Sequence, residues 1–286
     1  MSSIPYPLDP MGSKLEPCFK LVVKPGILGD SLTYGFTPYW NAGGYCKVVD
    51  WGDGSGEDAT ASGTKLTHTY AVAGTYTIRI KADCYRVRFE VFPYNTLLYD
   101  ANGDWDALGN ITIGDNMFAD CVNAVFNFSE LPKGLTSAPY MFFNCDNATL
   151  PLTSLPDGLT RADSMFYNCT NAQLPLTSLP AGLTNAASMF QNCTNATLTL
   201  TSLPDGLTRV DYMFNSCKKA VINLDELAAN APEGGWTNIT NISYMLNNAG
   251  ADNSPGTVTG SRSAFLAKFP NVTNTTNAFT GTNTTE

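Results

Sequence analysis

The sequence predicts a mainly β protein in which an N-terminal β-sandwich is followed by a β-solenoid of stacked repeats. Three observations point there. The first third of the chain alternates apolar and polar residues between Gly-rich turns, the pattern of half-buried sandwich strands. From Met117 onward a Met-Phe pair and a Cys recur every 24 residues, the signature of units that must stack to bury their apolar side. A parallel β-helix is the alternative architecture for the same period. The opening residues 1–14, with Pro5, Pro7 and Pro10 among apolar Ile4, Tyr6, Leu8 and Met11, read as an extended arm suited to lying on another protein.

After the arm, residues 15–93 form the expected sandwich. From Thr75 to Cys84 the alternation is strict, placing Tyr76, Ile78, Ile80, Ala82 and Cys84 on the inner face; Val87, Phe89 and Val91 repeat it against Arg86, Arg88 and Glu90. Three motifs follow one another in this region: Val49-Asp50-Trp51-Gly52-Asp53-Gly54-Ser55, then His68-Thr69-Tyr70, then Gly74-Thr75-Tyr76-Thr77-Ile78. In these the region resembles the PKD family of immunoglobulin-like domains. That resemblance implies a non-catalytic module of extracellular or virion surfaces.

Residues 94–115 read as a connector to the repeats, which occupy 116–286. The pairs Met117-Phe118, Met141-Phe142, Met165-Phe166, Met189-Phe190 and Met213-Phe214 are each followed by a Cys: Cys121, Cys145, Cys169, Cys193 and Cys217. Between them lies Leu-Pro-x-Gly-Leu-Thr, at Leu131 to Thr136 and at its three equivalents. Alternating Leu150 and Leu152, Leu174 and Leu176, Leu198 and Leu200 predict a short extended stretch, and Pro-x-Gly predicts a corner after it. Tyr244-Met245-Leu246 and Asn277-Ala278-Phe279 keep the phase after longer spacings and lose the Cys, as expected of degenerate capping units. The pattern resembles the BspA-like bacterial leucine-rich repeats, whose units carry a Phe-x-x-Cys element and an Ile/Leu-Pro corner. Here the unit is slightly longer and some usual Ile positions are Ala or Thr. The resemblance implies a curved solenoid of the kind found in bacterial surface proteins and phage-encoded proteins and linked to adhesion.

Charge and composition narrow the function. With 16 Lys and Arg against 25 Asp and Glu, the net charge of -9 disfavours nucleic acid, which needs a basic face. No apolar run approaches the roughly 18 residues of a membrane helix, and the first residues lack the basic and apolar regions of a secretory leader. A single His, His68, leaves little for acid-base or zinc chemistry; its place in His-Thr-Tyr argues for a structural hydrogen bond. Neither an enzymatic activity nor a cofactor is expected. The acidic residues Asp50, Asp53, Glu57 and Asp58 have the oxygen chemistry for calcium, but they lack EF-hand spacing and the Gly turn already uses Asp50 and Asp53; no metal is expected. The Cys column is read as buried free thiols, because parallel side chains in a ladder disfavour disulfide geometry. The Asn columns at 144, 168, 192 and at 147, 171, 195 are read as structural.

Two columns of the repeat vary as core columns do not: Ser137, Arg161, Asn185, Arg209, and Pro139, Asp163, Ala187, Asp211. With Tyr140, Tyr167 and Tyr212 nearby, the residues Tyr140, Arg161, Asp163, Tyr167, Arg209, Asp211 and Tyr212 form a candidate ligand-contacting face. The functional expectation is a non-enzymatic bacteriophage virion surface protein (capsid decoration, fibre or tail-associated), which is assembled in the host and needs no export signal. It would hold other virion structural proteins through its arm and PKD-like domain and a host surface glycan or protein through the solenoid. The alternative is a bacterial cell-surface adhesin.

Overall fold

A computed structural model describes residues 18–27, 29, 31–89, 96–126, 128–172, 174–251, 257–282 and 284. The arm, residues 1–14, lies outside the described residues. The chain is mainly β, as the sequence predicts.

Eight strands come first: β1 (Phe19–Val23), β2 (Thr33–Tyr39), β3 (Cys46–Asp50), β4 (Glu57–Asp58), β5 (Leu66–Thr69), β6 (Tyr76–Ala82), β7 (Arg86–Arg88) and β8 (Leu98–Gly103). A ninth, β9 (Val125–Phe126), belongs to the first repeat unit. One sheet runs in the order β4-β3-β6-β1-β8-β9 and a second in the order β5-β2-β7. Period-2 alternation does the sorting: Phe19, Leu21 and Val23 of β1 and Ile78, Ile80 and Ala82 of β6 are buried, with the polar residues between them turned outward. Tyr76 is only half-buried, stacked on Tyr70 at 4.0 Å with its hydroxyl donating to the Val72 carbonyl.

Both sheets run on into the repeats. The stretch read as a connector, 94–115, supplies β8, antiparallel to β1, and a 3-10 turn, Trp105–Leu108, before entering the first unit. On one side β8 pairs in parallel with β9. On the other, single parallel bridges link Arg86 to Ile113, Ile113 to Ser137, Ser137 to Arg161, Arg161 to Asn185, and Asn185 to Arg209. The second sheet thus continues one residue per unit across the repeats.

The backbone between these bridges follows one rule. In the second unit the N–H groups of Ala138, Tyr140, Phe142 and Asn144 donate forward to Arg161, Asp163, Met165 and Tyr167. Those of Met141, Phe143 and Cys145 donate three residues back, to Ala138, Tyr140 and Phe142. Alternate groups therefore bond locally and to the next unit, which satisfies the main chain where no regular strand exists. The pattern requires a left-handed residue at Tyr140 and again at Asn144, with φ of 57° and 56°, and at the equivalent positions of the other units. Asn suits that conformation, which explains its recurrence before Cys at 144, 168 and 192. The Thr closing each Leu-Pro-x-Gly-Leu-Thr block has its own role: the Thr136 N–H and hydroxyl and the Ser137 N–H all reach the Thr112 carbonyl, and Thr160, Thr184 and Thr208 repeat the arrangement.

Inside, the phenyl rings form a column. Phe19 and Phe36 of the two sheets both meet Phe89, which stacks on Phe118 at 5.2 Å. Phe118, Phe142, Phe166, Phe190 and Phe214 then follow at 5.6 to 5.7 Å, with planes within 12° of parallel. Offset parallel stacking is a favoured aromatic geometry. The described core residues form one cluster from Phe19 to Ala278.

The longer spacings at the far end hold helices that the sequence reading did not foresee. Strand β10 (Val221–Asn223) leads into α1 (Leu224–Ala229), and β11 (Thr257–Thr259) into α2 (Arg262–Leu266). The two strands pair in parallel and the helices pack together. Asn223 and Ser261 cap them by accepting backbone N–H bonds, as N-cap residues do. Around these insertions the unit pattern persists: Phe214 donates to Met245, and Leu246 to Ala278.

Phe166 sits between two parallel rings with no solvent exposure. Phe166→Ala should cost about 3–5 kcal/mol in urea denaturation. Arg161→Ala, removing an exposed side chain, should stay within about 0.5 kcal/mol of wild type.

Candidate functional site

The residues nominated from the sequence lie on the turn edge, the segment 137–144 of the second unit and its counterparts. Arg161 Nη2 meets Asp163 Oδ1 at 3.2 Å, and the same oxygen accepts from Asn185 Nδ2 at 3.0 Å. Two units on, Arg209 Nη2 meets Asp211 Oδ2 at 3.2 Å. Side chains two residues apart thus share a face as the sequence suggests, and each guanidinium is paired on its own unit.

The tyrosines fall into two groups. Tyr140, 40% exposed, sits edge-on to Phe143 at 5.6 Å, and Phe143 stacks on Tyr167 at 5.0 Å. Tyr212 stacks on Tyr244 at 4.7 Å with planes 6° apart. Phe143 was missed from sequence, while Asn185 and Tyr244 were read there only as a variable-column residue and as part of a degenerate unit, not as part of the face. Phe143 shares the column of Tyr167, and Tyr244 precedes Met245 as Tyr212 precedes Met213; applying the repeat phase through the longer spacing would have found them.

The other chemistry-bearing residues are committed to the fold. Asp50 Oδ1 accepts from the Gly52 and Gly54 N–H groups, and its Oδ2 from Arg79 at 2.7 Å. Asp53 accepts from the Ser55 hydroxyl at 2.6 Å and the Ser55 N–H, and meets His68 Nε2 at 2.7 Å. The Ser55 hydroxyl above all, with the Ser55 N–H and His68, holds the Asp53 carboxyl down at about 2 against the opposing effect of desolvation. His68 in turn stacks on buried Trp51, whose carbonyl accepts the Tyr70 hydroxyl. Glu57 and Asp58 lie on the exposed edge strand β4, with Asp58 3.8 Å from Lys47. These contacts pin the Gly turn in place, which is the structural role expected for His68.

In the Cys column, Cys145, Cys169, Cys193 and Cys217 donate to the carbonyls of Phe118, Phe142, Phe166 and Phe190, at 3.1, 2.9, 2.9 and 2.7 Å. Each thiol satisfies a carbonyl of the preceding unit, and burial raises its pKa. The Asn column makes an amide ladder, with Asn168 donating to Asn144 and Asn144 to Asp120. Two shallow cavities of about 230 and 210 Å³ lie elsewhere, beside Trp105 and Lys133 and beside Asn41 and Asp83. Both are below the usual small-molecule range of roughly 300–1,000 Å³.

Two outcomes follow. Because the folded pKa of Asp53 is depressed, its contribution to stability is complete above about pH 4 and lost as pH falls through about 2; the stability gap between wild type and Asp53→Asn should close over that interval in urea melts. The buried thiols should also resist an aromatic disulfide reagent at pH 8 until denaturant is added, because the thiolate is the reactive form. No known protein family, curated protein or solved structure matches the chain, and its functional reading therefore rests on the turn edge and the stack that carries it.

Proposed function

We propose that the chain is a non-enzymatic display protein of a bacteriophage particle, a PKD-like immunoglobulin sandwich followed by a BspA-like leucine-rich-repeat solenoid that serves decoration or adhesion to a host surface. The observation that carries this reading is the unbroken continuation of both sheets and of the phenyl column from the N-terminal strands into the repeats. A stack joined in that way projects as one stiff body, which suits holding a face away from an anchoring point. The repeated polar face is available along the stack, while Asp50, Asp53, His68 and Arg79 of the N-terminal part are spent on its Gly turn. The resemblance of both regions to surface modules agrees with it.

In this reading the arm and the N-terminal domain hold the particle and the repeats face outward. Mass spectrometry of purified particles should recover the chain, and its absence from every virion fraction would reject the assignment. Recovery in a bacterial envelope fraction instead would favour the cell-surface adhesin. Deleting residues 1–14 should abolish incorporation while leaving the circular dichroism spectrum intact; normal incorporation would reverse the proposed polarity.

A further inference from the structure

The residue preceding each Met, or its counterpart before Ala278, is left-handed in every unit: Asn116, Tyr140, Ser164, Ser188, Tyr212, Tyr244 and Asn277, with φ between 53° and 59°. The inter-unit bonds impose this backbone whatever the side chain, since Ser164 and Ser188 adopt it as Tyr140 does. Bulky residues are disfavoured there. Nothing in the fold asks for tyrosine, and the chain nevertheless carries it three times, at a position where a local conformational penalty points toward use.

The rings are also braced. Tyr140 rests on Phe143, itself stacked on Tyr167, and Tyr212 rests on Tyr244. Two pre-ordered aromatic side chains therefore stand on one line along the stack, Tyr140 exposed and Tyr212 half-buried with one ring face against Tyr244. They are three units apart, about 14 Å at the usual strand spacing of about 4.8 Å, and their column carries only Ser164 and Ser188 between them. Beside that line run the Arg161–Asp163–Asn185 and Arg209–Asp211 contacts. Within each of these the opposite charges cancel, so the strip offers hydrogen-bond donors and acceptors without a net field.

We propose that the turn edge binds an extended, uncharged polysaccharide along the repeat axis, with Tyr140 and Tyr212 as its two aromatic platforms. The inference rests on the adhesive reading above and names its ligand class. Pyranose rings present C–H faces to aromatic rings and hydroxyls to Asp, Asn and guanidinium groups, and a linear polymer matches features set out on a line. The overall charge of -9 disfavours an acidic polymer. A protein partner would draw on an apolar interface core; the large hydrophobic side chains exposed among the described residues are, apart from Tyr140, all between Ile27 and Val72.

The test uses the full chain, with Tyr140→Ser/Tyr212→Ser and Tyr140→Phe/Tyr212→Phe as variants. Serine is the residue the fold already places at this position in neighbouring units, so the first variant should melt no lower than wild type. In affinity electrophoresis through gels containing a soluble β-glucan, a galactomannan, an α-mannan or the acidic polymer alginate, wild type should be retarded by at least one neutral polymer. The Phe variant should be retarded too, and the Ser variant should bind about ten-fold more weakly or worse. Retardation by alginate alone, or equal retardation of the Ser variant, would overturn the proposal. Labelled protein should also bind intact bacteria from a mixed panel, with binding lost after periodate and kept after protease. Loss after protease with survival after periodate would reject the polysaccharide and leave adhesion standing, whereas no binding to any cell or polymer would reject both.

Discussion

The structure depends on register between units. Each unit lends alternate N–H groups to the next and keeps the others for its own turns, so a unit has no complete set of hydrogen bonds alone. The same register places phenyl over phenyl. Ring centroids 5.6 to 5.7 Å apart exceed the strand spacing of about 4.8 Å, so equivalent rings stand farther apart than strand-paired backbones do. Near-parallel planes at one repeated distance are possible only if every unit brings its ring in at the same height. The 24-residue period is the consequence, because a slip of one residue would move Met, Phe and Cys out of the column together and break the forward bonds at the same time.

Polar residues enforce this register as strictly as the apolar ones. Three donors converge on one carbonyl at each Thr, a thiol reaches back to a Phe carbonyl, and Asn amides bond in file along the outside. Cys at the core position is small enough for the turn and supplies a donor that Ala or Val would lack. Where the register relaxes, at the spacings of 32 and 33 residues, the Cys is gone and helices fill the added length. The buried ring of Trp236, packed on Phe269 with its indole N–H on the Pro204 carbonyl, takes over the filling there.

Much of this was legible in the sequence, and the reasons differ by element. The repeat could be read because like residues recur over like residues, and Phe142 or Leu150 declares its burial by position alone. The inward face of β6 could be read from alternation. The pairing of β8 with β1 could not: residues some eighty positions apart pair without any local signal, and Leu98 to Gly103 looks like linker until β1 is beside it. Helices α1 and α2 are too short to show a 3.6-residue period. The left-handed positions were half legible, since Asn144 suggests the conformation and Tyr140 conceals it. On the turn edge, Arg161 with Asp163 followed from spacing, whereas the stacking of Phe143 on Tyr167 arises between units and shows only when columns are aligned for every position.

The forward bonds carry a further implication for how such a chain changes over generations. Each interior unit meets its neighbours through the same atoms, so a gene that gains or loses one whole copy of the 72-nucleotide segment leaves every remaining contact of the same kind. Distance along the molecule is thereby digital. The separation of Tyr140 from Tyr212, or the reach of the far end, moves in whole increments, and recombination between similar copies can reset it in register. The N-terminal sheets and the helical insertions lie outside this exchange, since their contacts with the stack differ from those between interior units.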